Sequence, residues 1–478
     1  MLSKSLVIKV LLLILVVGFF VRLYRFDSPI ADWHSWRQAD TSSVSRNFVT
    51  SGFDLLHPRF DDLSNVPSGL DNPEGYRFVE FPIYNVFQAG FFKFIGVLTL
   101  EEWGRLISIF ASLFGSFVLF QLVNKYSGSK AGLAAAFFYT FLPYNIFYSR
   151  TILPDPSMAA AAIGAVYFFS EWVDSHGKDI KCFLISLLLL TLAILLKPYA
   201  LFYGLPFIVL IYQEFGLKAL KNLKLWAYVL VALTPFVLWR LWMQQFPEGI
   251  PSNAWLLNGN GIRFRPSFFR WIGYERLTKL ISGYGGVILL GVGGLQILKE
   301  KRRLFYLSLV VSSLAYLLVF ATGNVQHDYY QIVIMPVVAV VYGLGAAYLL
   351  ENKKSWVTLK SLTLLIVTVI TLGLSWMQVK DYFNINNRAI VIAGEYVDKT
   401  VPKDAKVIAN YNGDTSFLYQ TKRKGWSSFE KTMPEMIDLG ADYLVLANPK
   451  TQDLYFAKDY KIIAQTKDYL LFDLSQKP

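Results

Sequence analysis

The feature that most constrains this chain is a succession of long apolar blocks separated mostly by short polar loops. A membrane-spanning α-helix needs about 20 predominantly apolar residues. The chain is 54% hydrophobic and 17% charged, whereas soluble proteins carry about 25% charged residues. The sequence therefore predicts a polytopic α-helical membrane protein. The apolar blocks lie near residues 5–24, 81–99, 105–124, 131–149, 157–173, 183–197, 199–214, 225–243, 283–298, 304–322, 331–350 and 357–378.

Lysine and arginine clusters in the loops predict which blocks cross the membrane. Cytoplasmic loops carry an excess of these residues, so an even number of crossings must separate successive clusters. Block 81–99 is the weakest candidate of the three blocks between Lys9 and Lys125, because it is aromatic and contains Pro82 and Lys93. We expect it to lie at the membrane surface, as interfacial helices do. The clusters are Lys4/Lys9, Lys125/Lys130, Lys178/Lys181, Lys218/Lys221/Lys224, Lys299/Lys301/Arg302/Arg303 and Lys353/Lys354.

This topology predicts about 11 transmembrane helices, a cytoplasmic N-terminus with a retained first helix, and an external C-terminus. The transmembrane module covers residues 1–379, with a first external loop at 25–104 that contains interfacial helices and a long external loop at 246–280. Residues 380–478 are expected to form a small extracytoplasmic α/β domain. Its expected elements are a strand at 406–410, a helix at 432–439 ending at Gly440, a strand at 442–447 and a hairpin of 460–465 with 469–474.

Charge and cysteine usage exclude some function classes. The net charge of +12 comes from residues in short loops between apolar blocks, which is typical of membrane orientation. We therefore expect no nucleic-acid partner. One cysteine, Cys182, excludes an internal disulfide framework and a cysteine-based metal site.

The predicted external segments place polar residues at the ends of membrane helices, where ionisable groups are functional candidates. Asp40 begins the run Asp-Thr-Ser-Ser, which favours the start of a short amphipathic surface helix ending at Ser51-Gly52. Asp40 could then be a base or only a helix cap. In the same way, Asp155 could cap a helix, and Lys197 could extend from a helix end to the membrane surface. The remaining candidates are Asp32, His34, Arg37, Gln38, Glu80, Arg150, His327 and Tyr330.

The run Arg37-Gln-Ala-Asp40-Thr after one N-terminal span resembles the bacterial dolichyl-phosphate-mannose protein mannosyltransferase (PMT-like) and aminoarabinose transferase superfamily. This superfamily, which includes glycosyltransferase family 39, has the GT-C architecture. The resemblance covers the first third of the chain best. Further matching pieces are Glu80-Phe-Pro-Ile-Tyr, Arg105-Leu, Tyr148-Ser-Arg, Pro154-Asp-Pro and Leu196-Lys-Pro.

The resemblance implies transfer of a sugar from a polyprenyl-phosphate donor to a hydroxyl of a lipid, glycan or protein. It places the enzyme in the bacterial cytoplasmic membrane, with its active site on the external face. A single carboxylate that deprotonates the acceptor gives inversion. The motif match gives that role to Asp40, with Asp32 in reserve because Arg37-Gln38 replace the commoner Asp-Glu pair.

The resemblance and the residue types also imply roles for the other candidates. Glu80 resembles an acid that binds a metal or the acceptor, so a divalent metal ion is a candidate cofactor. Asp155 is a further catalytic candidate, and Lys197 and Arg150 suit a donor phosphate. Arg37, Gln38, His34, His327 and Tyr330 are expected to bind substrate. The alternatives are a transporter or flippase for lipid-linked glycans and a non-catalytic assembly subunit.

Overall fold

The computed structural model describes residues 3–350 and 359–476, so the predicted Lys353/Lys354 cluster lies outside the described residues. Most of the described chain is helical. The helices are α1 (Lys4–Val21), α2 (Ser35–Ser51), α3 (Ile83–Ile95), α4 (Leu100–Ser127), α5 (Ser129–Phe141), α6 (Pro143–Tyr148), α7 (Asp155–Asp174), α8 (Ile180–Leu196), α9 (Gly204–Phe215), α10 (Leu223–Met243), α11 (Trp255–Asn258), α12 (Pro266–Phe269), α13 (Gly286–Ile297), α14 (Arg303–Val319), α15 (Ala321–Gln326), α16 (Met335–Leu349), α17 (Leu359–Val379), α18 (Arg388–Thr400), α19 (Ser416–Thr421) and α20 (Met433–Asp438). A π-helix covers Arg270–Ile281, and 3₁₀ segments cover Pro198–Tyr203, Gly216–Lys221, Pro247–Gly249, Gly259–Phe264, Asp328–Ile334, Lys380–Phe383 and Thr451–Lys458.

Contacts between residues group the chain into two compact units. The helical unit contains Met1–Tyr24, Leu106–Leu238 and Asn253–Asp381. The α/β unit contains Arg25–Arg105, Trp239–Ser252 and Tyr382–Pro478. The predicted boundary between residues 379 and 380 stays a prediction, and the structure adds that the C-terminal segment shares a unit with the first predicted external loop.

The predicted apolar blocks coincide with helices, which confirms a polytopic helical membrane protein. Six helices of the described residues are long and apolar enough to cross a membrane, and a seventh is added if the pair Pro266–Ile281 and Gly286–Ile297, bent by 110°, forms one span. Two shorter apolar helices are Ile180–Leu196 and Arg303–Val319. Eleven crossings and their sidedness therefore stay predictions. The six are Lys4–Val21, Leu100–Ser127, Pro198–Lys221, Leu223–Met243, Asp328–Leu349 and Leu359–Thr400.

Close approach of α13 and α16 depends on glycine. A Cβ atom on Gly293 would lie 1.9 Å from the carbonyl oxygen of Val341, and one on Gly345 would lie 2.7 Å from that of Leu289. Gly293, in the cluster of glycines that begins at Gly291, therefore serves helix packing, as small residues do between membrane helices.

Helix α2 begins earlier than the sequence predicts. The run that starts at Asp40 predicts a helix start there, but the helix begins at Ser35, and Asp40 lies in its second turn. The alternative in which Asp40 only caps this helix is therefore wrong. The predicted end is confirmed, since Gly52 follows the last helical residue with φ of 98°.

The side chains of α2 that favour helix caps bond backbone carbonyls within the helix instead. This explains why the sequence predicts the helix start at the wrong residue. Inside a helix such side chains can bond the carbonyl four residues earlier. Thr41 Oγ1 donates to the carbonyl of Arg37 at 3.0 Å, and Asn47 Nδ2 donates to that of Ser43 at 3.0 Å. Twelve of the seventeen residues are buried, so α2 is not the amphipathic surface helix that the sequence predicts.

Helix α3 has the shape expected of an interfacial helix. It has 13 residues, fewer than the roughly 20 that a crossing requires. Its polar side faces α2: Asn85 Nδ2 donates to the Thr41 carbonyl at 2.6 Å, and Gln88 Nε2 donates to Ser42 Oγ at 3.0 Å. Its opposite side exposes Phe94. The structure thus supports the prediction that block 81–99 does not cross.

The C-terminal segment forms a five-stranded sheet in the order β2-β1-β3-β5-β4. Strand β1 pairs in parallel with β2 and β3, and β5 pairs antiparallel with β3 and β4. Helices α18 and α19 contribute to the core on one face, and α20 contributes to the core on the other. Each element that the sequence predicts here is present, which confirms a small α/β region. The strands are β1 (Val407–Ala409), β2 (Gly425–Trp426), β3 (Tyr443–Ala447), β4 (Lys461–Gln465) and β5 (Tyr469–Asp473).

Candidate active site

Lys197 and Asp155 form a buried ion pair in the helical unit. The distance from Lys197 Nζ to Asp155 Oδ2 is 3.0 Å, and the side chains are 7% and 0% exposed. Asp155 is the first residue of α7, where the helix dipole favours a carboxylate. Lys197 follows the end of α8 in an extended conformation, as expected before Pro198. The predicted helix break at Lys197-Pro198 is therefore confirmed, and the charge of Lys197 is already neutralised.

Three tyrosine rings surround the Lys197 ammonium. Its Nζ lies 5.5 Å from the ring centre of Tyr199, 5.6 Å from that of Tyr329 and 5.9 Å from that of Tyr330, within the range of cation–π attraction. The His327 ring is stacked 5.7 Å from Tyr329 and 6.2 Å from Tyr330. The structure thus brings three predicted substrate-binding residues, Lys197, His327 and Tyr330, into one neighbourhood.

Arg150 is almost fully buried at the end of α6 in the same unit. Its Nη1 donates to the backbone carbonyl of Tyr24, and its guanidinium lies 6.0 Å from the ring centre of Phe147. The hydrogen bond to Tyr24 stabilises the segment that follows α1. A role for Arg150 toward a donor phosphate stays a prediction.

Asp328 and Arg276 form a second buried ion pair, which the predicted site leaves out. Arg276 Nη1 lies 3.7 Å from Asp328 Oδ2. The Tyr148 hydroxyl donates to the Asp328 carboxylate, and the Tyr144 hydroxyl donates to its backbone carbonyl at 2.6 Å. Tyr148 and Asp328 lie in separate polar segments of the sequence. No sequence pattern predicts that either of them contacts Arg276.

Asp40 is held by two donors in the α/β unit. Arg77 Nη2 donates to Asp40 Oδ2 at 2.5 Å, and Thr415 Oγ1 donates to Oδ1 at 2.7 Å. Both charged side chains are almost fully buried. Neither donor belongs to the predicted site. Because Thr415 lies 375 residues from Asp40 along the chain, no local pattern could indicate it.

Arg37 and Glu80 form a neighbouring ion pair, with 2.6 Å between Nη2 and Oε1. Together with Asp40 and Arg77 they line a cavity of about 20 Å³, large enough for about one water molecule. In the described part of the chain, Glu80 Oε2 is buried without a hydrogen-bond partner. The cavity therefore combines two cations and two anions, with a carboxylate oxygen still able to accept a hydrogen bond.

Asp32, Gln38 and His34 belong to the segment that leads into α2. Gln38 Nε2 donates to Asp32 Oδ1 at 2.7 Å, and Asn386 Nδ2 donates to the Asp32 carbonyl at 2.9 Å. His34 precedes the first residue of α2 in the left-handed region, with φ of 54°. Its ring lies 5.1 Å from that of Trp33. These contacts place the reserve acid Asp32 close to the predicted substrate-binding residue Gln38.

Asp62 is a buried acid that the sequence interpretation missed. Its carboxylate accepts hydrogen bonds from the hydroxyls of Ser64 and Ser427 at 2.9 and 3.0 Å. Burial raises the pKa of the Asp62 carboxyl to about 7, and the nearby charge of Asp40 contributes to the increase. The only signal in the sequence is the acidic pair Asp61-Asp62 between apolar residues, which does not predict which of the two is titratable near neutral pH.

The acids of the α/β unit do not fit the metal site that the resemblance allows. Among residues 3–350 and 359–476, no group of three His, Cys, Asp or Glu side chains is arranged to hold an ion. Asp40 and Glu80 each face an arginine instead. A metal-binding role for Glu80 therefore has no support from its surroundings.

The candidate residues fall into two groups according to the unit that contains them. Asp32, His34, Arg37, Gln38, Asp40 and Glu80 belong to the α/β unit, and Arg150, Asp155, Lys197, His327 and Tyr330 belong to the helical unit. Asp40 and Glu80 in the first group and Asp155 in the second each form an ion pair with a cation. An anion that binds one of these three cations must compete with a carboxylate for it.

Part of the chain matches a known protein family. Residues 79–242 match the model of the dolichyl-phosphate-mannose-protein mannosyltransferase family. This segment contains Glu80, Arg150, Asp155 and Lys197 but not Asp40. No curated protein matches the sequence significantly.

Solved structures resemble the whole chain. ArnT from Cupriavidus metallidurans bound to undecaprenyl phosphate has a TM-score of 0.65 at 13% identity, over 98% of each chain. The oligosaccharyltransferase of Archaeoglobus fulgidus has a TM-score of 0.61 at 11% identity, over 91% of this chain and 69% of that one. Mycobacterial arabinofuranosyltransferase AftD has a TM-score of 0.60 at 12% identity, over 99% of this chain and 42% of that one.

These matches agree with the architecture described above: apolar helices in the helical unit and a small sheet near the C-terminus. The resemblance drawn from the first predicted external loop is thereby confirmed. This chain is a polytopic membrane protein of the GT-C fold that carries, over residues 79–242, a segment similar to the dolichyl-phosphate-mannose-protein mannosyltransferases.

Proposed function

We propose that this protein is a membrane glycosyltransferase that moves a sugar from a polyprenyl-phosphate donor to a hydroxyl of a lipid, glycan or protein acceptor. The reaction takes place on the external face of the bacterial cytoplasmic membrane. The observation that carries the proposal is the match over 98% of both chains to ArnT bound to undecaprenyl phosphate. Transporters carry ionisable residues within their membrane helices, whereas Asp155 and Lys197 lie at helix ends, which favours the enzyme.

Lys197 is the proposed partner of the donor phosphate. A departing lipid phosphate develops negative charge, and a fixed cation in a site that excludes water stabilises that charge. Lys197 is buried, and the rings of Tyr329 and Tyr330 surround it. Tyr330, His327 and Arg150 supply further hydrogen bonds to the phosphate in this proposal.

Asp155 competes with the phosphate for Lys197, because both are anions and one ammonium faces them. In our proposal, donor binding therefore draws Lys197 away from Asp155. Replacing Asp155 by asparagine removes the competing charge. The Asp155→Asn variant should consequently bind undecaprenyl phosphate more tightly than the wild-type protein.

Asp40 is the proposed base. The acceptor oxygen attacks the anomeric carbon, the bond from that carbon to the phosphate oxygen breaks, and the acceptor proton passes to the Asp40 carboxylate. One displacement of this kind inverts the anomeric configuration. Arg77 and Thr415 each bind one Asp40 oxygen, which fixes the carboxylate and leaves each oxygen a lone pair for a proton. Glu80 and Arg37, which line the cavity beside Asp40, are the proposed contacts for the acceptor, with Gln38 and His34 in support.

Donor binding is best tested with neutral variants, because Lys197→Ala alone would leave Asp155 buried without a counter-charge. The proteins to compare are the wild type, Asp155→Asn and the double variant Lys197→Met with Asp155→Asn. Binding of undecaprenyl phosphate is measured by calorimetry in detergent, with undecaprenol as the control without phosphate. We expect tighter binding for the single variant and weaker binding for the double variant. Equal affinity of all three proteins for the phosphate would contradict the assignment of Lys197.

The base is tested against a matched control in the same unit. Asp61 is also buried, and it accepts from Arg46 and Asn47. Asp61→Asn therefore breaks a comparable ion pair without touching the proposed base. In a deletion strain, we expect Asp61→Asn to restore the missing sugar in lipids and surface glycans, as measured by mass spectrometry. Asp40→Asn should leave the sugar missing at equal protein level, and restoration by Asp40→Asn would refute the proposed role.

A further inference from the structure

A large apolar groove lies in the helical unit between α1, α5, α16 and α17. Its volume is about 690 Å³, within the range of about 300–1,000 Å³ that is typical of ligand sites. Val10 and Ile14 of α1, Phe137 of α5 and Leu365 of α17 contribute to its walls. Lys130 is its charged lining residue. The groove is therefore apolar along its length, with a cation on α5.

The groove has the length of one membrane leaflet. Its lining on α5 extends from Lys130, near the first residue of that helix, to Phe141, its last residue. Eleven residues at about 1.5 Å per residue give roughly 16 Å. Half of a hydrocarbon core of about 30 Å is roughly 15 Å. A lipid chain that enters beside Lys130 and ends near Phe141 would thus occupy one leaflet.

Helices α1 and α5 run in the same direction along the groove. Their C-terminal parts are in contact, because a Cβ on Gly18 would lie 2.4 Å from Thr140 and Arg22 Nη2 donates to the Thr140 carbonyl at 3.0 Å. Their buried side chains remain in one cluster as far back as Val7 and Leu133. Lys130 lies ten residues before Thr140, so it stands near the level of Lys9, nine residues before Gly18.

Lys130 lines one end of the groove, and Lys9 on α1 and Lys360 on α17 lie at about the same level. Lys130 Nζ donates to the carbonyl of Leu350, directly after α16, at 3.1 Å. Lys360 is the second residue of α17, and its Nζ lies 3.9 Å from the ring centre of Tyr348 on α16. Lys9 is exposed on α1. Among residues 3–350 and 359–476, no acidic residue lines the groove, so the site complements an anionic head group.

We propose that this groove holds one anionic phospholipid of the leaflet that the lysine end faces, which the loop charges predict to be the cytoplasmic leaflet. One acyl chain lies along α5, and the phosphate faces Lys9, Lys130 and Lys360. A polyprenyl carrier is much longer than a groove of one leaflet. This lipid site is therefore distinct from the donor site proposed at Lys197.

The experiment is native mass spectrometry of the full-length protein with phosphatidylglycerol or phosphatidylcholine of identical chains. One lysine near anionic lipid contributes about 1 kcal/mol, or about fivefold in affinity. The triple variant Lys9→Gln, Lys130→Gln and Lys360→Gln should therefore bind phosphatidylglycerol on the order of 100-fold more weakly. Its affinity for phosphatidylcholine should not change. Filling the groove by Ala134→Trp should weaken the binding of both lipids.

A matched control removes three lysines elsewhere. Lys218, Lys221 and Lys224 are exposed around the loop before α10 and do not line the groove. Their replacement by glutamine should change phosphatidylglycerol binding less than about twofold. Equal retention of the two lipids by the wild type, or equal losses in the two triple variants, would overturn the proposal. Displacement of phosphatidylglycerol by equimolar undecaprenyl phosphate would also overturn it, whereas failure of the proposed sugar transfer would leave it untouched.

Discussion

Breaking the Lys197–Asp155 pair from one side should destabilise the protein much more than removing both charges. Lys197→Met leaves the Asp155 carboxylate in a fully buried place, and in the described part of the chain neither of its oxygens has a hydrogen-bond partner. Asp155→Asn leaves a buried ammonium that keeps its aromatic neighbours. The double variant leaves no charge behind. Comparison of the three variants therefore distinguishes the interaction energy of the ion pair from the destabilisation caused by one unpaired buried charge.

The magnitude follows from the geometry. At 3.0 Å and an effective dielectric constant of about 20, the attraction is about 332/(20 × 3.0), or about 5.5 kcal/mol. Burying both ions offsets most of this gain, but removal of one partner of a buried pair costs about 3–5 kcal/mol. We expect about that loss for Lys197→Met and less for Asp155→Asn, because cation–π attraction of about 2 kcal/mol remains for a desolvated lysine. The double variant should lose about 1–2 kcal/mol, since a neutral pair of similar volume can replace buried ions at little cost.

The assay is reversible unfolding by dodecyl sulfate in mixed micelles, followed by tryptophan fluorescence. Free energies of unfolding are compared at pH 7 for the wild type, both single variants and the double variant. The reasoning requires the double variant to be more stable than Lys197→Met alone. Additive losses would show that the two side chains do not interact energetically, and the geometry of the pair would then have been misinterpreted.

Two further predictions concern Asp62 and the packing of α13. The folded-state pKa of Asp62, about 7, lies above the unfolded value of about 3.9. Its contribution to stability is therefore complete at pH values below the unfolded pKa, and about 4 kcal/mol is lost as the pH rises through 7. Asp62→Asn should remove this pH dependence, and unfolding curves of wild type and variant that remain parallel from pH 4 to 8 would contradict it. Gly293→Ala should cost about 1–3 kcal/mol, because its Cβ would meet the Val341 carbonyl at 1.9 Å. Gly291→Ala, with nothing within 4 Å, should not destabilise, and equal unfolding midpoints for the two variants would refute the packing argument.

Features that depend on local chemistry were predictable from the sequence. Thr432 and Glu435 form a capping box at the start of α20, and Gly440 after that helix has φ of 95°. Lys197-Pro198 interrupts the helical run because the residue before proline avoids the helical conformation. In each of these cases the interaction that determines the local structure joins residues a few positions apart. It can therefore be predicted from the sequence.

The partners of the candidate acids were not predictable, because they lie far away along the chain. Asp40 pairs with Arg77, 37 residues away, and with Thr415. The run of cap-forming residues from Asp40 to Ser43 predicts a helix start at Asp40. The distant partners Arg77 and Thr415 cannot be identified from this run. Tertiary contacts instead place Asp40 within a longer buried helix.

The ion pairs change the chemical state expected of the acids. The sequence alone favours isolated carboxylates beside a membrane, ready to act as bases or metal ligands. The structure gives Asp155, Asp40 and Glu80 a cation each, as buried charges require. In our proposal the donor phosphate therefore takes Lys197 from Asp155. The Asp155 carboxylate is then left without its counter-charge and is more ready to accept a proton. Donor binding and activation of an acid would then be two consequences of one exchange of partners, which is why the Lys197–Asp155 pair is the first to perturb.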